Sequence, residues 1–184
     1  MKKIKEIFKS DAAFTILEVI TAIFILTIGV GASFSLMNQT LSAASIVEQK
    51  AIASYLAQEG IEIVKNIRDS TWLEKRTSPS LNWDVYLGAL DVGGYWEAEA
   101  DYNSQTLTDY SGTPLYIQTN DFYGYDVSDV QTKFIRKITI DKLEADKIKV
   151  SVEVKWEERN RPHSFTVLEY ITNWYEQLKQ NGIL

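Results

Sequence analysis

Between Phe14 and Met37 the chain carries one charge, the carboxylate of Glu18, and is otherwise almost wholly apolar. As a helix rising about 1.5 Å per residue the run spans roughly 36 Å, enough for a hydrocarbon core of about 30 Å. Thr15, Ile16, Val19, Ile20, Thr21 and Ile23 are β-branched and lower helix propensity in water. In lipid the need to satisfy the backbone internally overrides that preference. Lys2, Lys3, Lys5 and Lys9 precede the run, and the first charges after it are Glu48 and Lys50. The positive-inside rule then places the N-terminus in the cytoplasm and everything after about residue 38 outside.

Three readings of this segment compete. It is a plain anchor; or a signal peptide cut after Val30-Gly31-Ala32; or a segment kept on the mature chain by a cut between Ala13 and Phe14. An acid inside a membrane helix costs on the order of 2.5–3.5 kcal/mol. Neither an anchor nor a discarded signal gains anything from that cost. A cut before Phe14 makes Glu18 the fifth residue of a new chain, whose α-amino group can neutralise it within a helix turn or between neighbouring helices. The acid then becomes a docking device.

Ala13-Phe14-Thr15-Ile16-Leu17-Glu18, after a short lysine-bearing leader, resembles the processing site of type IV prepilins and type II secretion pseudopilins. The resemblance implies that a prepilin peptidase cuts before Phe14 and N-methylates it, and that Glu18 guides the subunit into a growing filament. It further implies a pilin-like α+β fold, a single pass of the bacterial cytoplasmic membrane with the head outside, and a periplasmic or extracellular filament after assembly. The implied partners are other pilin or pseudopilin subunits, an inner-membrane assembly platform and membrane lipid. The family usually has glycine before the cut, where this chain has Ala13.

The organisation expected is a leader over 1–13, a transmembrane assembly helix over 14–37, its amphipathic continuation over 38–70, and an antiparallel head over 71–184. Ile52, Tyr55, Leu56, Glu59, Ile63 and Ile67 recur at helical spacing and predict one mostly apolar face. Ser42, Ala43 and Ala44 are small enough for close helix contact at the membrane exit. Unbroken, 14–70 would make a rod of roughly 85 Å. Gly60 reads as a soft point, Asp69-Ser70-Thr71 as a stop, and Glu59, Glu62, Lys65 and Arg68 as a solvated, ion-paired face. "LAQEGIEIVKNIRD" is similar to the helix end of the minor pilin group called PilV and the pseudopilins called GspI.

In the head, 71–87 reads as a loop with Trp72 and Trp83 as packing anchors. Strand-like alternation follows over 93–101, 113–119, 133–144, 147–158 and 163–175. In 147–158, Ile148, Val150, Val152, Val154 and Trp156 form one face and Lys149, Ser151, Glu153, Lys155 and Glu157 the other. Arg159-Asn160-Arg161-Pro162 predicts a tight turn closing a hairpin. The head is thus an antiparallel sheet of about four or five strands laid on the outer part of the long helix. The closing hairpin is also similar to that of the minor pilins.

No cysteine is present, so the fold stands without disulfides, and His163 is the only histidine, so no histidine triad or two-histidine metal site can form. Asn120, Asp121, Asp126 and Asp129 are calcium candidates by ligand type, without EF-hand spacing, in a loop whose Asp and Asn also serve turns. Phe122, Tyr123 and Tyr125 beside them are a contact patch or core anchors. The net charge is -6. Residues 1–13 carry a surplus of lysine over Glu6 and Asp11, so the remainder is more acidic still, which argues against general nucleic-acid binding. Arg136 and Lys137 read as sheet-face charges. No catalytic constellation and no cofactor site is expected. A structural filament subunit is the reading adopted, with a membrane-anchored extracellular binding domain as the alternative.

Overall fold

The computed structural model describes residues 15–127 and 130–176. Helix α1 (Ile16–Lys75) is followed by a 3-10 turn (Val85–Leu87) and strands β1 (Tyr95–Glu99), β2 (Thr108–Asp109), β3 (Tyr116–Ile117), β4 (Tyr123–Gly124), β5 (Val130–Gln131), β6 (Ile135–Glu144), β7 (Lys147–Glu158) and β8 (Arg161–Thr172). The chain divides into two compact units, Met1–Ser45 and Ile46–Leu184. The class is α+β, a long apolar N-terminal helix whose later turns pack on antiparallel sheet.

In the first unit the helical residues through Leu41 are exposed. Thr15, just before the helix, caps it by accepting the Glu18 amide on Oγ1 at 3.2 Å. Thr27 and Ser33 return their hydroxyls to the carbonyls of Ile23 and Gly29 at 2.7 and 2.8 Å. Thr40 bonds Leu36 at 2.7 Å. Those hydroxyls need nothing from their surroundings. This is the helix long and apolar enough to cross a membrane.

The second unit is built on a five-stranded sheet in the order β2-β1-β6-β7-β8, with a small sheet β4-β3-β5 beside it. All its pairings are antiparallel. Ala53, Leu56, Ala57, Ile61, Val64 and Ile67 of α1 are buried with Ile138, Ile140, Val150, Val152 and Val154 of the sheet. Gly60 lets the two meet: a Cβ there would lie 2.8 Å from Val152 Cγ1. Ahead along α1, Lys65 reaches Glu169 at 2.8 Å and Trp72 donates to Asn173 at 3.2 Å. Glu169 is the register partner of Val150, and Asn173 follows the Lys147–Thr172 pair. The helix therefore runs antiparallel to β7 and parallel to β8.

The hairpin turns on two residues, Arg159 (φ 52) and Asn160 (φ 58), a type I′ turn matched to strand twist. Arg161 and Pro162, read as part of the turn, already pair with Glu158 and Glu157 in β8.

Several expectations are corrected. The helix does not stop at Asp69-Ser70-Thr71 but runs to Lys75. Burial of Trp72, edge-on to Trp174 at 4.6 Å, outweighs the turn preference of the polar trio, and Thr71 spends its hydroxyl on the Ile67 carbonyl. Residues 71–87 are thus partly helical, although Trp72 and Trp83 are both buried as anchors. Trp83 donates to the Ala145 carbonyl at 3.2 Å, and beside it Lys142 and Asp84 form a buried ion pair. Tyr55, placed on the apolar face, is 71% exposed. The strand expected over 113–119 shrinks to Tyr116–Ile117 and joins the small sheet. Leu115, just before β3, donates its amide to the carbonyl of Phe134, the residue ahead of β6 (2.8 Å), and accepts the amide of Thr132, just after β5 (2.9 Å).

Candidate functional site

The sequence singles out Ala13, Phe14 and Glu18. Ala13 and Phe14 lie outside the described residues. Glu18 occupies the third helical position of α1, with its amide held by Thr15, and its side chain projects from an exposed turn. Thr15-Ile16-Leu17-Glu18 has the spacing of a capping box, a local reason for the Thr-Glu pair that the composition-based reading missed. The first-turn position also favours a carboxylate through the helix dipole. Yet among the described residues no donor meets that carboxylate. Around it Ile16, Leu17, Ile20, Ile23 and Phe24 are all more than half exposed. An apolar face of this size exceeds what a water-soluble chain leaves uncovered. One anionic group on such a face asks for a cation from outside its own helix.

A second polar centre holds the head together. Arg136 faces inward from β6 between Phe134 and Ile138 and is 0% exposed. Its Nη2 donates to the Ala100 carbonyl at 2.8 Å and its Nη1 to the Leu56 carbonyl of α1 at 3.3 Å. Glu59 Oε1 lies 3.3 Å from Nη1 and supplies the balancing charge. Arg136 is therefore no sheet-face charge, and Glu59 no member of a solvated face. The alternation Phe134, Arg136, Ile138, Ile140 had placed the arginine on the apolar side of β6; its charge concealed the assignment. Burial outweighs neighbouring charges at Tyr125, whose hydroxyl donates to the Arg136 carbonyl at 3.4 Å; its pKa is pushed up to about 12.

Of Glu62, Lys65 and Arg68, only Glu62 is solvated; the Lys65 and Arg68 side chains are 28% and 13% exposed. Lys65 spans Glu62 (3.2 Å) and Glu169, and the bond to Glu169 raises its pKa above the ordinary value. Arg68 pairs with Asp69 at 2.8 Å and covers the Trp72 ring.

Of the calcium candidates, Asp129 lies outside the described residues. Asn120 donates to the Tyr102 hydroxyl at 2.8 Å and accepts the Phe122 amide at 3.1 Å, and Asp121 takes a turn conformation at φ 65. No group of three or more acidic or histidine side chains among the described residues, Asp126 included, is placed to hold a metal ion. Phe122 stacks on Tyr102 at 4.6 Å while half-exposed, and Tyr123 and Tyr125 pack against the core. His163, half-buried, stacks on Trp156 at 5.4 Å.

No family model, no curated protein and no solved structure matches this chain.

Proposed function

We propose that the chain is a structural subunit, of the minor pilin or pseudopilin kind, of a type IV pilus-like or type II secretion-like filament. In this reading a prepilin peptidase removes residues 1–13, the new Phe14 amine is methylated, and the subunit waits in the cytoplasmic membrane with its head outside. Assembly exchanges lipid around Ile16–Met37 for neighbouring helices. The Glu18 carboxylate meets the ammonium of an adjacent Phe14, so two charges costly in apolar surroundings neutralise each other. The observation that carries the reading is the lone Glu18 carboxylate, without a donor among the described residues, on an exposed apolar helix whose threonine and serine hydroxyls bond carbonyls of the same helix.

The test is the intact mass of the mature chain, with N-terminal fragmentation, in cells with and without the peptidase. The expected result is loss of residues 1–13 and one added methyl group on Phe14, both dependent on the peptidase. A chain beginning at Ser33, or retaining Met1, would remove the basis of the proposal.

A further inference from the structure

Two cations face inward from β6, and they are answered differently. Arg136 spreads its charge over the Leu56 and Ala100 carbonyls and Glu59, whose side chain keeps 30% of its surface exposed. Lys142, further along the same buried face, meets Asp84, the residue that opens the 3-10 turn after α1. There both partners are enclosed: the Lys142 and Asp84 side chains are 9% and 6% exposed. The buried Trp83 ring stands over the ammonium, its centroid 5.6 Å from Nζ.

The backbone is fixed on both sides of the contact. The Asp84 carbonyl accepts the amides of Leu87 at 2.9 Å and Ala89 at 3.1 Å. Lys142 accepts the Gly93 amide at 2.7 Å and donates its own to the Gly94 carbonyl at 2.9 Å. Lys142 Nζ and the Asp84 carboxylate are thereby held in contact from segments 58 residues apart in sequence. Two groups positioned in this way react as one molecule, with the cost of bringing them together already met by folding.

The charged form of this pair is the costly one. Each ion gives up its water, and their attraction repays that only when further hydrogen bonds satisfy the remaining protons and lone pairs. Among the described residues, Asp84 and the Trp83 ring are the partners of the ammonium. An amide joining the two side chains has no charge to desolvate. The residue type matters as well. A guanidinium holds a carboxylate by a two-pronged fork and keeps its proton, whereas a buried lysine amine loses its proton readily and is then a nucleophile.

We propose that Lys142 and Asp84 condense in the folded chain to an amide that cross-links the segment after α1 to β6. The ammonium passes one proton to the carboxylate, leaving a neutral amine beside a carboxylic acid. Nζ then attacks Cγ. The Nζ–Cγ bond forms, the bond from Cγ to the acid hydroxyl breaks, and that hydroxyl leaves as water with a second proton from Nζ. Nothing is oxidised or reduced, and no other reactant enters. In a chain without cysteine the amide gives the head a covalent tie that no disulfide can supply.

The test is the mass and the tryptic map of the purified full-length chain. No lysine or arginine lies between Arg76 and Lys133, and Lys142 is the only one between Lys137 and Lys147. The expected result is a branched product in which 77–133 is joined to an uncut 138–147, lighter by one water than the sum of the two peptides. Fragmentation should place the branch at Asp84 and Lys142. Lys142→Arg keeps a cation opposite Asp84 but cannot condense; it should retain the water, be cut at position 142 and release 77–133 unbranched. A wild-type chain cut at Lys142 with 77–133 at its full mass would overturn the proposal. So would a lost water without a branch, or a branch that persists in Lys142→Arg. The peptides read lie in the head, so the result is independent of how residues 1–37 are processed.

Discussion

The two ends of α1 have opposite relations to what surrounds them. From Ile16 to Leu41 every residue is exposed, and apolar side chains stand there with one carboxylate that no donor meets among the described residues. From Ala53 to Trp72 the same element is half enclosed, and its exceptional groups are met by the sheet: Gly60 by Val152, the Leu56 carbonyl by a hydrogen bond from Arg136, and Glu59 by the charge of Arg136. The difference lies in where the complement is encoded. The head carries the partner surface of its helix in β6, β7 and β8. Among the described residues the apolar end has none.

The sharpest way to break this comparison is at Glu18. Glu18→Leu removes the only charge between Ile16 and Leu41 and, on the proposed filament reading, should cut incorporation into filaments at least tenfold, about 1.4 kcal/mol per decade, while leaving membrane insertion intact. Pelleted filaments against membrane-retained subunit measures it; equal partitioning would mean that this end needs only apolar contact. Arg136→Ala tests the other end. It strands Glu59 and two buried carbonyls, and denaturant unfolding should show a loss of about 3–5 kcal/mol. Arg136→Met with Glu59→Gln should recover much of it, because the charge is then absent rather than unpaired.

Gly60→Ala sharpens the contrast by its sign. On an exposed helix the change stabilises by up to about 1 kcal/mol. Against Val152 it should destabilise by about 1–3 kcal/mol, whereas Gly29→Ala, with nothing within 4 Å, should keep the ordinary sign. The smallest effect is alkaline. Tyr125 and Lys65 both have raised pKa values in the folded head, so the stability they contribute is complete below pH 10. It is lost as pH rises toward about 12 for Tyr125. Tyr86 and Tyr123 are also raised, so ultraviolet titration should show a spread of late tyrosines with Tyr125 the last, and Tyr125→Phe should remove that last step.

The parts of this molecule legible in the sequence are those governed by local periodicity. The apolar run with Glu18, the alternation of β7 and the hairpin at Arg159-Asn160 are each written in consecutive residues. The end of α1 was not, because Trp72 holds the last turn through Asn173 and Trp174, a hundred residues away. β2 to β5 have two residues each, too few for any period to register. Arg136 sat in the right place in the pattern and was misassigned on residue type. An arginine can occupy an apolar face when carbonyls converge on it, and that convergence exists only after the chain has folded. For Glu18 the sequence supplied the position on the apolar helix; the Thr15 cap emerged from the local backbone.

The direction of α1 along the sheet has a mechanical consequence. A pull applied at residue 46 along the helix axis loads the contacts from Ala53 to Trp72 side by side, in shear. None of them can be peeled away ahead of the rest, and Arg136 reaches across from the sheet to hold the sliding surface at Leu56 and Glu59. A head built this way resists tension far better than one joined to its stalk end to end.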